Sequence, residues 1–269
     1  MVTLMLKNKL PVLAISSCLM GEKVRYDAND AYNTFVSNLP TNAIKIIPFC
    51  PECMIGLTIP RPPIQLIKDT DEIIAKNSIN NDIDIASSLR SAAQKFMKNN
   101  KHVNGIIFKS KSPSCGVNTS KLFDTNGNIL TRNSSGIFAQ AVQDHFPYLP
   151  VVDDKCLTDS KILIGFFVHV YILNKFKNTP YSAITKNGQD AYKKILNRYF
   201  IDKQIKTEKT EAIFKCDMTK YYFDSEYTSS LMSALAYVLK YDENMIIDLF
   251  PDCYKKANDV VHTANNFIN

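Results

Sequence analysis

The sequence predicts an α/β protein: a three-layer, mainly parallel sheet with helices on both faces, followed by an all-α C-terminal region. Three observations lead there. Short, apolar, branched runs recur at Leu10–Ser16, Ala43–Ile47, Val103–Phe108 and Leu149–Val152, and such runs read as buried strands. Segments with helical periodicity lie between them, and strands alternating with helices favour parallel pairing. After Asp154 the strand signal stops and only helical patterns follow.

Each element has its own reason. Asp27 or Asn29 can cap a helix over Asp30–Asn38. Gln65–Ile67 reads as a short edge piece, and the polar, Asn-rich stretch Asp69–Asp84 as a loop with a partial helix. In Ser87–Met97 the residues Leu89, Ala92, Ala93 and Phe96 share one helical face. Asp124-Thr125-Asn126-Gly127 is a hairpin-type turn within Leu122–Leu130. Ser134 or Ser135 is expected to cap a helix running to about Phe146. Beyond the boundary, Ile162–Phe176, Gln189–Phe200, Ser229–Tyr241, Glu243–Leu249 and Cys253–Ile268 read as helices. Residues 1–156 are therefore expected as one α/β domain and 157–269 as a helical accessory domain.

The composition is that of a folded soluble chain, with 45% hydrophobic and 22% charged residues. No run approaches the roughly 20 apolar residues of a membrane span, and Met1–Leu13 lacks the form of a secretion signal. A cytoplasmic location is expected, with no membrane partner. The net charge of +6 permits nucleic-acid binding without arguing strongly for it. The seven cysteines are odd in number and widely spaced, which favours metal binding or catalysis over a disulfide framework.

The stretch Phe49-Cys50-Pro51-Glu52-Cys53, with Ile59-Pro60-Arg61-Pro62-Pro63 after it, packs two thiols and a carboxylate into a proline-stiffened loop at the end of a strand. Two other strands end in cysteine-bearing loops, at Cys18 and Cys115. In a parallel sheet all strand C-termini share one edge, where ligands bind. The thiols of Cys18, Cys50 and Cys115 are therefore expected to meet in space. Three thiols suit a soft metal centre; three rather than four would leave one position open, unless Cys53 closes it. Buried, small, apolar cysteines are the plain alternative, and the preferred one for Cys156, Cys216 and Cys253. Glu52 is either a solvated carboxylate or a general acid/base. Ser112 and Ser114 either satisfy turn amides or meet substrate. Arg25 and Arg61 are surface charges or anion anchors. No histidine spacing suggests a metal site, and no Gly-rich phosphate loop is present.

Several blocks occur in order: Ser17-Cys18-Leu19-Met20-Gly21 with Arg25-Tyr26-Asp27; Cys50-Pro51-Glu52 with Gly56-Leu57 and Pro60-Arg61-Pro62; Lys109-Ser110 through Ser112-Pro113-Ser114-Cys115-Gly116; and Gly136-Ile137-Phe138-Ala139. Together they resemble the bacterial thiouracil desulfurase (desulfidase) family over about residues 10–155. The resemblance implies a [4Fe-4S] cluster held by Cys18, Cys50 and Cys115, with the fourth iron open to the sulfur of a thiolated uracil base or nucleoside. It implies Glu52 as acid/base; Ser112 is expected as a second catalytic residue, and Arg25, Asp27, Arg61 and Ser114 as substrate-binding residues. Cys53 is not part of the family pattern. Some members carry a helical C-terminal domain and act on 4-thiouridine in transfer RNA (tRNA). Their Phe-His-x-x-His-Lys signature is absent here; Phe167-Val168-His169 only echoes its start.

The implied reaction is non-redox: water activated by Glu52 attacks the thiocarbonyl carbon and sulfide leaves. Its rival is a non-enzymatic iron–sulfur or zinc protein that binds a partner or senses oxidation. A sulfur-inserting enzyme would need a nucleotide-binding loop, and none is present. Lysines at 175, 177, 186, 193, 194, 203, 206 and 209, interleaved with Tyr181, Tyr192, Arg198 and Tyr199, are the expected RNA contacts of the helical domain.

Overall fold

The computed structural model describes residues 9–77, 84–178 and 243–266. In chain order the strands are β1 (Val12–Ser16), β2 (Lys45–Phe49), β3 (Ile64–Asp69), β4 (Glu72–Asn77), β5 (Val103–Phe108), β6 (Ser120–Phe123), β7 (Ile129–Ser134) and β8 (Val151–Asp153). The helices are α1 (Thr34–Ser37), α2 (Pro51–Met54), α3 (Ala86–Asn99), α4 (Ile137–His145), α5 (Ser160–Asn178), α6 (Glu243–Leu249) and α7 (Pro251–Asn266). Two 3-10 turns, Ser17–Met20 and Asp154–Thr158, follow β1 and β8.

The expected α/β fold is present. Four strands form a wholly parallel sheet in the order β2-β1-β5-β8. Its central strands have little choice of environment: every residue of β1 and β5 is buried, as their uninterrupted apolar runs require when helices cover both faces. On one face, α3 and α4 close over an aromatic cluster. Phe49 lies 5.0 Å from Phe96, 5.6 Å from Phe138 and 5.7 Å from Phe108, centroid to centroid. On the other face α5 lies against β5. A Cβ at Gly105 would stand 2.7 Å from Val170 Cγ2 and 3.1 Å from Phe166 Cζ, so the missing side chain is what lets this helix approach.

Four features depart from the expectation. Within the expected loop Asp69–Asp84, residues 72–77 form a strand: β3 and β4 pair antiparallel around Thr70, whose φ of 53° makes the tight reversal. With the β6–β7 hairpin they build a second sheet, β4-β3-β6-β7, joined by one parallel pair, β3 with β6. The helix expected over Asp30–Asn38 shrinks to α1. Asp30 folds back to accept from Tyr32 N, and Asn33 takes the cap by accepting from Val36 N. Finally, α4 has Gly136 as its cap and not a serine. Its first amides, Ile137, Phe138 and Ala139, donate to the carbonyls of Pro113 and Ser114. A Cβ on Gly136 would strike the Ser114 carbonyl carbon and stand 2.6 Å from Cys115 N.

The expected boundary at 156/157 falls inside the second 3-10 turn. Beyond it α5 and α7 contribute Leu163, Phe167, Val260 and Ala264 to the same core as Leu13 and Ile107. Within α5, His169 is buried with no partner for Nε2, and burial pushes its pKa down to about 4, so the ring is neutral. The expected helices Gln189–Phe200 and Ser229–Tyr241, Cys216, and the lysines and tyrosines of 181–209 lie outside the described residues. Among the described residues no helix is long and apolar enough to cross a membrane.

Candidate active site

The site forms where the parallel sheet ends. β1, β2 and β5 run the same way, so the segments that leave them emerge on one edge. Cys18 sits in the 3-10 turn after β1, Cys50 directly follows β2, and Cys115 lies in the long loop after β5. All three line one cavity of about 960 Å³. Phe49 anchors Cys50 from below, because its ring is locked among Phe96, Phe108 and Phe138.

The Cys115 loop is tied down from several sides. Ser112 Oγ accepts from Ser114 N at 3.2 Å and Cys115 N at 3.1 Å, and Ser120 Oγ donates to Ser112 O at 2.6 Å. Two carboxylates from the end of β8 complete the hold. Asp153 Oδ2 accepts from Thr119 Oγ1 at 2.7 Å. Asp154 accepts from Ser110 N and pairs with Lys109 Nζ at 2.8 Å. These carboxylates were not singled out from sequence; two acids closing an apolar strand at the sheet's ligand edge were the signal.

Glu52 belongs to α2, a single turn begun by Pro51 with Cys50 as its cap. Its carboxylate faces the same cavity and both oxygens are held. Arg61 meets Oε2 through Nε at 2.8 Å and Nη2 at 2.7 Å, and Ser114 Oγ donates to Oε1 at 2.9 Å. The pair is nearly dry, with side-chain exposure of 5% for Arg61 and 13% for Glu52. Arg61 also donates to Thr58 O at 3.0 Å and Val24 O at 2.8 Å. One guanidinium thus joins α2, the proline segment and the loop after β1.

The expected site residues take the following places. Arg61 and Ser114, expected to bind substrate, both hold Glu52, Arg61 through Nε and Nη2 and Ser114 through its hydroxyl. Ser112 lines the cavity, but its hydroxyl serves the turn that carries Cys115. Arg25 lines the cavity with its guanidinium 5.7 Å from the Tyr26 ring centroid. Asp27 is outside the lining, exposed and 3.5 Å from Arg25 Nη2. The second sheet supplies a wall to the cavity that the sequence did not place there, with Gln65, Lys121, Phe123, Arg132 and Asn133. Cys53, at the third position of α2, lies outside the lining, one turn on from Cys50.

Burial dominates the thiol chemistry. It pushes Cys18 up to about 11, against the pull of Lys109 and Arg25. It pushes Cys50 up to about 12. Cys115 is raised well above the ordinary thiol value by burial first, then by Cys50 and Glu52. Burial of this kind disfavours the thiolate, and a bound cation would compensate its charge. Among the described residues no three metal-ligating side chains are arranged to hold one metal ion. Three soft donors spread around a cavity fit a multi-metal cluster, which meets its ligands at separate corners.

The model of the 2-thiouracil desulfurase family matches residues 13–154, more than half of the chain. The chain belongs to the 2-thiouracil desulfurase family. The matched span contains the whole parallel sheet from Leu13 onward, the three cavity thiols and Glu52. Among curated proteins, an uncharacterized protein YbbK of Bacillus subtilis (strain 168) is 31% identical over 111 residues, which cover 39% of this chain and 73% of the relative. Among solved structures, a protein titled a [4Fe-4S]-dependent thiouracil desulfidase, TudS, is 22% identical. The match covers 56% of this chain and 95% of that one, with a TM-score of 0.44.

Proposed function

We propose that this chain hydrolyses the carbon–sulfur bond of a thiolated uracil, with a [4Fe-4S] cluster on Cys18, Cys50 and Cys115 and with Glu52 moving the protons. One observation carries the reading: a carboxylate fixed at both oxygens stands in the same cavity as three thiols from three strand ends. When bound, the cluster would supply a Lewis-acidic iron for the thiocarbonyl sulfur.

The protein's own part follows from Glu52. Oε2 is occupied by two guanidinium nitrogens, whereas Oε1 takes a single hydrogen bond from Ser114. Oε1 therefore keeps acceptor capacity, and the proton of the attacking water passes to it. Water adds to the thiocarbonyl carbon, the carbon–sulfur bond breaks, and Glu52 returns its proton to the departing sulfur or the ring. Thiocarbonyl and water become carbonyl and sulfide, with no net redox change. The walls of Gln65, Phe123 and Asn133 close around the base. Action on 4-thiouridine within tRNA is the extended form of this proposal. It draws on the basic and aromatic residues of 175–209, and RNA binding that falls steeply with salt would support it. A cytoplasmic site of action accords with the free cysteines among the described residues.

Glu52→Gln tests the reading. It keeps the side chain's shape and removes its titration. The variant should retain its iron and its visible spectrum, and lose thiouracil turnover by roughly 10²–10⁴-fold, followed by loss of thiocarbonyl absorbance. It leaves Arg61 without its counter-charge, so the assay belongs below the variant's own melting temperature. Near wild-type turnover by the iron-loaded variant would eliminate this role. A loaded wild-type protein that releases no sulfide from any thiolated uracil would instead be a binding or redox-sensing module.

A further inference from the structure

Cys53 has no place in the site described above, yet its position is specific. Cys50 is the cap of α2 and Cys53 its third residue. The turn is closed, because Met54 N donates to Cys50 O at 3.0 Å. Residues three apart on such a turn have Cα atoms about 5 Å apart from the helix rise and radius. A disulfide accepts Cα separations of roughly 4.4–6.8 Å. Cys50 and Cys53 therefore sit on one turn at a separation that a disulfide can span. Accessibility sorts the thiols at the cavity: Cys50 and its neighbour Cys53 are half-buried, whereas Cys18 and Cys115 are 7% and 5% exposed. A small oxidant can reach the α2 pair and not the other two.

We propose that Cys50 and Cys53 are a dithiol modification site, which closes to a disulfide when the cavity is empty of metal and so takes Cys50 out of the ligand set. The inference rests on the cluster reading for its consequence, but not for the bond itself. The step balances with a small disulfide as oxidant. One thiolate of the pair attacks it and releases one small thiol; the second thiolate then attacks the mixed disulfide and releases the other. Two thiols and one small disulfide become one protein disulfide and two small thiols. The two protons end on the released thiols, and the electron pair passes to the oxidant. Cys50 cannot then contribute a thiolate to the cavity until a reductant reopens the bond.

The full-length, metal-free protein is incubated with oxidised glutathione, remaining thiols are alkylated, and peptides are mapped by mass. The expected product is an intramolecular Cys50–Cys53 bond, two mass units lighter, with Cys18 and Cys115 still open to alkylation after unfolding. In Cys50→Ser, Cys53 should instead carry a stable glutathione adduct. Iron uptake from ferrous iron and sulfide should fall at least tenfold in the oxidised wild type and return on reduction. Cys50 and Cys53 both remaining free, or pairing with other cysteines, would overturn the proposal, as would equal iron uptake by oxidised and reduced protein. A fully reduced protein that takes up no iron would sink the cluster reading instead, whatever the disulfide map shows.

Discussion

The two sheets meet at one cavity but contribute to it differently. The parallel sheet is covered on both faces and sends Cys18, Cys50 and Cys115 from strand ends fixed by the core. The β4-β3-β6-β7 sheet has a smaller core of its own, built on Leu66, Ala75, Leu89 and Leu122, and most of β7 is exposed. It supplies no thiol. It supplies wall and charge, through Gln65, Lys121, Phe123 and Arg132. Sulfur donors therefore ride on the rigid element, and the surface a substrate would meet rides on the more open one. Arg61, just before β3, ties the two together through Glu52 and Val24 O.

Damage to each sheet should then read out differently. The largest effect is expected at Phe49. Phe49→Ala removes the ring at the centre of the aromatic cluster and should cost about 3–5 kcal/mol of stability. Because Cys50 is the next residue, iron content should fall in the folded fraction as well; chemical denaturation and iron assay together check this. Unchanged iron at that loss of stability would show that Cys50 does not depend on the core beneath it.

Gly105→Ala comes next. The added methyl meets Val170 and Phe166 on α5, and overpacking of this kind costs about 1–3 kcal/mol. The thermal midpoint should drop while iron stays bound, because the contact lies on the sheet face away from α3 and α4. Loss of iron would place α5 in the support of the thiols.

The smallest effect is expected on the second sheet. Lys121 and Arg132 are exposed cavity residues without an ion pair among the described residues. Exposed charges contribute at most about 1 kcal/mol. Lys121→Ala or Arg132→Ala should therefore move KM by no more than about fivefold, at unchanged iron content and melting temperature. A large drop in kcat would mean that this wall takes part in the chemistry.

The same contrast explains what could be read from the chain. β1 and β5 announce themselves because burial on both faces demands unbroken apolar runs. Once three strand ends each carry a cysteine, their convergence follows from parallel pairing. The β6–β7 hairpin announces itself through Asn126-Gly127, whereas the β3–β4 hairpin hides because its reversal uses Thr70-Asp71 and not Asn-Gly, and because Glu72, Lys76 and Asn77 dilute β4. The cap of α4 was illegible for another reason. Ser135 Oγ bonds to Asn118 instead, and the carbonyls that replace it come from the Cys115 loop. Glu52 could be picked out by its place between two cysteines. The role of Arg61 could not, since its partner Val24 is 37 residues away and only folding brings them together.

The central claim is that three strand-end thiols, and not Cys53, hold the metal centre. Anaerobic iron and sulfide analysis of five proteins tests it most directly: the wild type and Cys18→Ser, Cys50→Ser, Cys115→Ser and Cys53→Ser. The wild type and Cys53→Ser should each carry about four iron and four sulfide per chain, and the other three should carry almost none while remaining folded. A Cys53→Ser protein that loses its iron while Cys18→Ser keeps it would contradict the account.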